Sequence, residues 1–429
     1  MNVVLVSCVF PPEHTFSSQT GAETAEELVR RGHSVHVYAP FPNHPKGRLF
    51  EGYKRTLYAT STAHAGYTLT HCFGTFSRSS TMMSRFAANL SFGISSGLRI
   101  LFGKRPDVIY SNSWPIFAAG IVAMVARLRR VPIVLRVQDV YPESLESQRR
   151  FTNRGWAFRL LRHCDLMIAR SSEQLLVISP VFQRLYENDR GVPAEKIHVI
   201  PNWGSDDLMD ADSSAALAFR RKLGISEDAF VAVYAGNVGV ASNAEMLIDA
   251  LAKLKDITRI YLVIAGDGSQ LASCRYEAER QHLDHVIVHS PWKTEETGPV
   301  HMMADVLLLP TIGKQSLNSI PSKLITYLLS GRPVIAAVLP ESDTATAIVG
   351  SGAGWVVDPD SADLMASTIA AASTQSKESL MRMGAAGREF ARQSFTRDSN
   401  LPKVIDILEK TGKARNGPNM HKSGAAGAA

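Results

Sequence analysis

The sequence predicts an α/β protein of two Rossmann-like domains that face each other across a cleft. The chain has 429 residues, more than one hydrophobic core usually contains, so two domains are expected. Short β-branched runs alternate with helix-length runs along the chain, which predicts parallel sheets covered by helices on both faces. The pattern starts again after an acidic and polar segment at about 203–214, so the domain boundary lies there.

The N-terminal domain, residues 1–203, begins with an apolar strand, a proline-rich loop and a helix that ends at Arg31. Gly32 follows as the usual C-terminal cap. We predict a further strand wherever a short apolar run is bounded by turn residues. The predicted strands cover residues 3–9, 34–38, 108–110, 132–137, 166–169 and 197–200.

The C-terminal domain, residues 204–395, repeats the pattern, with a glycine loop at 236–239 after its first strand. The predicted strands cover residues 230–235, 260–265, 286–289, 306–309, 333–337 and 354–357, with a helix at 244–254. Residues 396–412 are predicted to form a helix that returns to the N-terminal domain. The tail, 413–429, is rich in glycine, alanine, lysine and asparagine, so we expect it to be disordered.

A helix beginning near Pro321 predicts an anion site. The segment Pro321-Ser322-Lys323 opens an apolar run that ends at Gly331. A helix N-terminus offers free backbone N–H groups and the positive end of the helix dipole, and Lys323 adds a full charge. The glycine loop at 236–239 lets backbone N–H groups approach a diphosphate. The alternative is a surface lysine on an ordinary helix.

The charge is distributed unevenly between the two halves. Residues 1–203 have a net charge of +10 and residues 204–429 a net charge of −4. Residues 52–106 contain no acidic residue, and from Arg85 to Arg105 the basic residues are mixed with aromatic and aliphatic ones. This mixture favours an interfacial helix on an anionic membrane over a nucleic-acid groove, so no nucleic-acid partner is expected. The alternative is a helix packed on its own sheet with solvated arginines.

The cysteines and the apolar runs indicate a cytoplasmic protein without a metal. Cys8, Cys72, Cys164 and Cys274 are far apart and lack metal-ligand spacing, which is typical of buried thiols in a reducing compartment. The chain opens on a strand with no signal peptide, and the longest apolar run, 114–126, is too short for a bilayer. The Asp-x-Asp triplets at 210–212 and 358–360 lie in polar loops, so we expect no metal and no cofactor.

Several motifs in a fixed order carry a family resemblance. They are Phe10-Pro11-Pro12-Glu13, Arg31-Gly32-His33-Ser34-Val35, Gly52-Tyr53, the Pro321-Ser322-Lys323 segment and residues 42–48, 137–144, 196–203 and 234–239. Over about residues 1–410 the chain resembles the retaining nucleotide-sugar glycosyltransferases of GT-B fold often called family 4. Within them it is similar to bacterial surface-polysaccharide transferases that use fucosyl or N-acetylfucosaminyl donors. The resemblance implies that the C-terminal half binds the donor and the N-terminal half the acceptor.

The resemblance and the motifs together assign roles to residues of both halves. The donor-binding residues are expected to be Gly236, Asn237, Gly239, Trp292, Asn318, Pro321, Ser322, Lys323 and Thr326. The acceptor-binding residues are expected to be Glu13, Ser18, Gly21, Gln138 and Asp139. The catalytic residues are expected to be Asp139, Glu143 and Lys323. A carboxylate at a strand's carboxyl end can accept a proton, but Asp139 as a turn residue and Glu143 as a first-turn helix acid remain alternatives.

The chain departs from the family pattern at several of these positions. Asn237 and Asn243 stand where relatives have an arginine and a lysine, so Lys323 and the helix N-termini are expected to supply more of the positive charge at the phosphates. The other departures are Asn318 and Thr326 for two glutamates, Gln138 for a histidine, and Gly21 alone for a glycine pair.

The family implies a defined reaction. The expected enzyme transfers a sugar, such as the N-acetylated deoxyhexose N-acetylfucosamine, from a UDP-sugar with retention of configuration. The acceptor is expected to be a lipid-linked diphosphate sugar of O-antigen or capsule synthesis, on the inner leaflet of the plasma membrane. The alternatives are a nucleotide-sugar 2-epimerase of similar fold and a catalytically silent nucleotide-sugar-binding protein.

Overall fold

Two parallel sheets, each with its own helical layers, form the structure, which is a computed structural model. It describes residues 1–13, 15–43, 47–76, 82–144, 155–204, 213–313, 315–318 and 320–416. The N-terminal sheet has eight strands in the order β3-β4-β2-β1-β5-β6-β7-β8, and the C-terminal sheet has six in the order β11-β10-β9-β12-β13-β14. These are the two Rossmann-like domains predicted from the alternation of strands and helices.

All strand pairs of the N-terminal sheet are parallel except β3 with β4. Its strands are β1 (Asn2–Val6), β2 (Ser34–Pro40), β3 (Tyr58–Thr62), β4 (Thr68–Cys72), β5 (Val108–Asn112), β6 (Ile133–Val137), β7 (Gln174–Val177) and β8 (Ile197–Val199). The helices are α1 (Phe16–Arg30), α2 (Met82–Phe102), α3 (Ile116–Arg129), α4 (Trp156–Ser171) and α5 (Pro180–Asn188).

The alternation of side chains along β1 divides the N-terminal core into two layers. Val4 and Val6 pack into the core beneath α3 and α4, whereas Val3 and Leu5 pack into the core beneath α1 and the last helix of the chain. Helices α2 and α3 approach closely at Gly93, which has no side chain. A Cβ at this position would lie only 2.7 Å from the Cα of Ala118.

The C-terminal sheet is entirely parallel. Its strands are β9 (Phe230–Ala235), β10 (Ile260–Ala265), β11 (Val286–His289), β12 (Val306–Pro310), β13 (Val334–Ala337) and β14 (Gly354–Val357). The helices are α6 (Ser213–Lys222), α7 (Ala244–Ala252), α8 (Leu271–Arg280), α9 (Thr297–Met302), α10 (Gln315–Asn318), α11 (Ser322–Leu329), α12 (Asp343–Ser351), α13 (Ala362–Ser373), α14 (Lys377–Ser394) and α15 (Arg397–Asn416).

The strand predicted at 166–169 is wrong. These residues belong to α4, and the strand that pairs with β6 begins later, at Gln174. Ile168 and Ala169 are buried on one face of the helix while Met167 is 56% exposed, a periodicity of 3.6 that a four-residue apolar run is too short to reveal.

Two further elements differ from the prediction. Strands β3 and β4 form an antiparallel hairpin at the sheet edge, where exposed threonine and serine side chains obscured the apolar alternation. Helix α15 extends to Asn416, so residues 413–416 are helical, while 417–429 lie outside the described residues. Leu401, Val404 and Ile405 of α15 pack into the N-terminal core.

The carboxyl ends of the two sheets face each other. Phe16, just after the loop that follows β1, packs against the C-terminal core, and Ile320 packs against the cores of both domains. The chain crosses between the domains twice at one place, where the Gly204 N–H donates to the Phe395 carbonyl at 3.0 Å. Buried Arg136 holds the first crossing by donating to the carbonyl of Ile200 at 2.8 Å.

Candidate functional site

Two glycine loops pack together at the carboxyl edge of the C-terminal sheet. Gly236 follows β9 with φ +130°, and Gly266 follows β10 with φ +158°. A Cβ on Gly266 would overlap the carbonyl oxygen of Gly236. The Val238 N–H donates to the Asp267 carbonyl at 2.9 Å, which fixes the first loop on the second. Only glycine fits these positions, so backbone rather than side chains forms the floor of the site.

Lys323 lies directly over the first glycine loop. It is the second residue of α11, its Nζ lies 3.4 Å from the carbonyl oxygen of Asn237, and it sits 5.1 Å from the ring centre of Tyr234. Burial lowers the pKa of Lys323 to about 8. Within the described residues no carboxylate lies within ion-pair distance of this ammonium group, so the geometry provides a cation for a bound anion.

Three more residues predicted to bind the donor lie on α10 and α11. Ser322 is exposed at the start of α11, and Thr326 follows one turn later with a partly buried side chain. Asn318 ends α10, and its side chain is not among those described. Asn243, in the left-handed conformation with φ 49°, donates its amide to the Thr311 carbonyl at 3.1 Å, so it braces two loops instead of facing a ligand.

Trp292 lies beyond β11 but is not a free platform. It packs against the C-terminal core, and its indole N–H is buried without a partner. The ring of His301 lies 6.1 Å away, and its Nε2 is likewise buried and unpartnered. Burial lowers the pKa of His301 to about 4, so this imidazole is neutral at pH 7. No local sequence pattern identifies His301, because its burial depends on tertiary packing.

Asp139 lies at the carboxyl edge of the N-terminal sheet, two residues after β6 ends. Burial raises the pKa of Asp139 to about 7. Burial, together with the nearby carboxylates of Glu13 and Asp139, raises the pKa of the Cys8 thiol, and the Asn112 side chain hydrogen-bonds that thiol. Cys8 follows β1, Asn112 ends β5 and Asp139 follows β6, and these three strands are neighbours in the sheet. At this edge the Asp139 carboxylate can accept a hydrogen bond or a proton.

Glu143 is in an ion pair that opposes its predicted catalytic role. Both of its carboxylate oxygens accept from Nη2 of Arg190 at 2.8 Å, and Nε of Arg190 donates to Asp165 at 2.9 Å. The Tyr186 hydroxyl donates to Asp165 at 2.9 Å, and Arg190 also donates to the carbonyl of Tyr141 at 3.1 Å. The structure thus assigns Glu143 to an anchor of the loop that follows β6. No local signal identifies Arg190, since it lies 47 residues further along the chain.

The carboxylate of Glu13 is hydrogen-bonded to backbone N–H groups. Glu13 is 3% exposed and accepts from the N–H groups of Phe10 at 3.3 Å and Asn43 at 2.8 Å. These bonds tie the loop after β1 to the loop after β2. Glu13 thus has a structural role, and its predicted contact with an acceptor stays a prediction.

Ser18 and Gly21, predicted to bind the acceptor, lie within α1. Ser18 is buried, and among the described residues its hydroxyl has no hydrogen-bond partner. The predicted acceptor residue Gln138 accepts from Ser17 at 2.8 Å and donates to Asn202 at 3.2 Å. Gln138 therefore joins α1 to the first crossing between the domains.

No group of three or more metal-binding side chains occurs in the described part of the chain. The Asp358–Asp360 pair forms a turn in which the Asp360 N–H donates to the Asp358 carboxylate at 3.0 Å. The other Asp-x-Asp triplet, at 210–212, lies outside the described residues.

Helices α2, α3 and α4 cover one face of the N-terminal sheet with an apolar and basic surface, termed here the three-helix face. The only acidic residue in these helices, Asp165, is buried. The large exposed apolar side chains of these helices are Met83, Phe86, Ile94, Leu98 and Phe102 of α2, Met124 and Leu128 of α3, and Trp156, Leu160 and Met167 of α4. In the ranges that the structure describes, no helix is both long and apolar enough to cross a bilayer.

Two of the basic residues predicted to dock on a membrane have intramolecular partners. Arg105 donates to the carbonyl of Arg129 at 3.1 Å and to that of Arg130 at 2.7 Å, and the guanidinium of Arg99 lies 5.0 Å from the ring centre of Tyr58. Arg85, Lys104, Arg127 and Arg159 are exposed around the same face.

Two family descriptions together match most of the chain. Residues 18–203 match the glycosyl transferase 4-like domain, and residues 217–390 match the glycosyl transferases group 1 domain. The two matches correspond to the two Rossmann-like domains.

Relatives of known name are distant. The chain is 22% identical over 417 residues to WcaI of Escherichia coli (strain K12), named as a colanic acid biosynthesis glycosyl transferase, which covers 95% of this chain and 100% of that one. It is 26% identical over 228 residues to a GDP-mannose-dependent alpha-(1-6)-phosphatidylinositol monomannoside mannosyltransferase of Mycobacterium tuberculosis (strain ATCC 25618 / H37Rv), which covers 52% of this chain and 58% of that one.

Solved structures share the fold at low identity. Anabaena HepE in complex with UDP superposes with a TM-score of 0.71 at 16% identity, covering 96% of this chain and 100% of that one. WaaG, a glycosyltransferase involved in lipopolysaccharide biosynthesis, has a TM-score of 0.69 at 18% identity, covering 95% of this chain and 99% of that one.

Proposed function

Since the chain is a GT-B glycosyltransferase with a 4-like domain followed by a group 1 domain, we propose that it is a retaining transferase using a UDP-sugar. The sugar is an N-acetylated deoxyhexose such as N-acetylfucosamine, and the acceptor is a lipid-linked diphosphate sugar of bacterial surface polysaccharide synthesis. The observation that carries the proposal is the ammonium group of Lys323 over the glycine loop. Its Nζ lies 3.4 Å from the carbonyl oxygen of Asn237, and within the described residues it has no carboxylate partner. The sequence similarity to WcaI, named for colanic acid biosynthesis, supports an acceptor in surface polysaccharide synthesis. The fold shared with WaaG, named for lipopolysaccharide biosynthesis, supports it as well.

The donor half suits a diphosphate leaving group. Lys323, the N-terminus of α11 and the glycine loop at Gly236 offer an ammonium group and backbone N–H groups to the phosphates. A preorganised cation stabilises charge as it develops on the departing phosphate, so the proposed reaction needs no metal. The HepE complexes with UDP and UDP-glucose favour UDP as the donor nucleotide, whereas the Mycobacterium relative is named for GDP-mannose.

The proposed chemistry is a front-face substitution at the anomeric carbon of the donor. The acceptor hydroxyl oxygen forms a bond to this carbon on the face from which the diphosphate leaves, and the bond to the phosphate oxygen breaks. The acceptor proton passes to the departing phosphate, while the Asp139 carboxylate accepts a hydrogen bond that orients the acceptor. Glu143 does not act directly, since Arg190 binds both its oxygens.

The three-helix face is proposed to rest on the anionic inner leaflet of the plasma membrane. Exposed apolar side chains such as Phe102 and Leu128, 80% and 68% exposed, lie among arginines and lysines with no exposed acid in the three helices. Apolar insertion combined with electrostatic attraction is how interfacial helices bind anionic lipid. This position would keep the acceptor side of the cleft close to a lipid-linked sugar.

A donor screen tests the proposal. UDP-, GDP-, ADP- and dTDP-sugars are compared by thermal shift, since a ligand that binds only the folded state stabilises it by mass action. The UDP-sugars should raise the melting temperature most, and transfer to a soluble lipid-linked sugar should follow. Conversion of the donor without any acceptor would instead identify a 2-epimerase. Donor binding with neither reaction would identify a silent binding protein.

A further inference from the structure

Trp114 is an exposed indole at the carboxyl edge of the N-terminal sheet, where no role was predicted. It follows β5, which lies between β1 and β6 in the sheet, and its side chain is 39% exposed. In the register of the neighbouring strands β5 and β6, Asn112 lies opposite Arg136. The Ser113 N–H donates to the Arg136 carbonyl at 2.8 Å. Trp114 and Gln138 each lie two residues beyond this pair, and Asp139 is the next residue after Gln138.

Aromatic and polar residues lie near Trp114 in sequence and along the same edge of the sheet. Phe117, three residues further on, packs edge-to-face on Phe86 with ring centres 4.8 Å apart, and Phe86 itself is 39% exposed. Asn112, two residues before Trp114, hydrogen-bonds the Cys8 thiol, and Asp139 follows the neighbouring strand β6. This edge therefore carries exposed aromatic surface together with a carboxylate.

The faces of a pyranose ring carry C–H groups, while its rim carries hydroxyls. Such a ligand suits a pocket of aromatic surface with a few convergent polar groups. We propose that Trp114 is the platform on which the acceptor sugar stacks, so that its reactive hydroxyl is directed toward Asp139. This inference rests on the proposed transferase function, and it assigns acceptor selection to a residue outside the donor half.

Three variants test the platform: Trp114→Ala, Trp114→Tyr and, as a matched control, Trp156→Ala. Trp156 is the more exposed indole, 78% exposed at the start of α4 on the three-helix face. The acceptor probes are water-soluble octyl glycosides of glucose, galactose and N-acetylglucosamine, and the parent enzyme selects the one it glycosylates fastest. The readouts are the KM for this acceptor, the Kd for UDP by calorimetry and co-sedimentation with anionic vesicles.

Trp114→Ala should raise the acceptor KM about tenfold or more, as expected for a lost aromatic contact. The Kd for UDP should stay within about twofold, and Trp114→Tyr should recover most of the affinity because a second aromatic ring replaces the first. Trp156→Ala should leave the acceptor KM unchanged.

An unchanged acceptor KM in Trp114→Ala would overturn the platform. Weaker vesicle binding with an unchanged acceptor KM would instead place Trp114 in the membrane-binding surface. A parallel loss of UDP affinity would indicate a structural role. If the parent glycosylates no acceptor, the proposed function fails together with the platform, whereas an active parent with an unaffected variant removes the platform alone.

Discussion

The side chain of Lys323 occupies the space that a Cβ on residue 236 would need. A Cβ built on Gly236 would lie 2.5 Å from Cε of Lys323, a separation that side-chain carbons do not reach. Gly236 also has φ +130°, where other residues are strained. The glycine loop and the helix cation therefore act as one unit, although 86 residues separate Lys323 from its carbonyl partner, Asn237.

Replacing the cation should impair catalysis. Lys323→Ala removes the charge proposed to stabilise the departing diphosphate, so kcat/KM should fall by roughly two orders of magnitude or more. Steady-state kinetics and UDP calorimetry measure the effect. Lys253→Ala, which removes a lysine paired with Asp363 at 2.8 Å, serves as the control. Parent-like kinetics in Lys323→Ala would exclude a role at the phosphates.

The steric coupling between residues 236 and 323 can be measured by a double-mutant cycle. Gly236→Ala should weaken UDP binding about tenfold or more, because the new methyl group displaces the lysine side chain. In the Lys323→Ala background the same substitution should cost clearly less, since the steric part of the penalty disappears while the backbone strain remains. Equal penalties in both backgrounds would show that the two residues act independently.

The activity should depend on pH through two groups of the cleft. The pKa of Asp139 is raised to about 7 and that of Lys323 lowered to about 8. The carboxylate form of Asp139 prevails above pH 7 and the ammonium form of Lys323 below pH 8, so kcat/KM should be highest between these values and fall on both sides.

Each limb of the pH profile has its own test. Asp139→Asn should lower kcat/KM about ten- to hundredfold and remove the decline below pH 7. Lys323→Arg should remove the decline above pH 8, because a guanidinium stays protonated there. If both variants keep the shape of the parent profile, other groups control the pH dependence.

Glu143 should matter more for stability than for chemistry. Glu143→Gln leaves buried Arg190 with one carboxylate partner, Asp165, so the free energy of unfolding should fall by about 1–3 kcal/mol. Its effect on kcat should be much smaller than that of Asp139→Asn. Urea unfolding and kinetics at 15 °C separate the two effects. A large loss of kcat with parent-like stability would restore Glu143 as a catalytic residue.

Neutralising the three-helix face should release the protein from anionic vesicles. Each basic residue near such a surface contributes about 1 kcal/mol, so the combined replacement by glutamine of Arg85, Lys104, Arg127 and Arg159 should abolish co-sedimentation at low salt. Catalysis on a soluble acceptor should be nearly unaffected. The matched control replaces four exposed basic residues of the C-terminal domain, Lys255, Arg275, Lys377 and Arg382. Equal pelleting of both variants would leave the face as a solvated surface.

Local patterns in the sequence were sufficient for the fold and for the presence of a glycine loop and a helix-start lysine. The strand and helix alternation predicted both parallel sheets, because each periodicity is a property of a few neighbouring residues. The pairing of a glycine loop with a helix-start lysine was also predicted from local geometry. Where an apolar run was too short to distinguish a helix from a strand, as at 166–169, the prediction failed.

The tertiary structure alone decided which of the candidate carboxylates are free to act. Glu13, Asp139 and Glu143 all looked suitable in the sequence, but backbone N–H groups bind Glu13, Arg190 binds Glu143, and Asp139 remains buried with a raised pKa. The three-helix face likewise exists only because α2, α3 and α4 pack side by side. The partner of a charged side chain and the exposure of an apolar one depend on residues far away in the sequence. These features are therefore determined only in the folded chain.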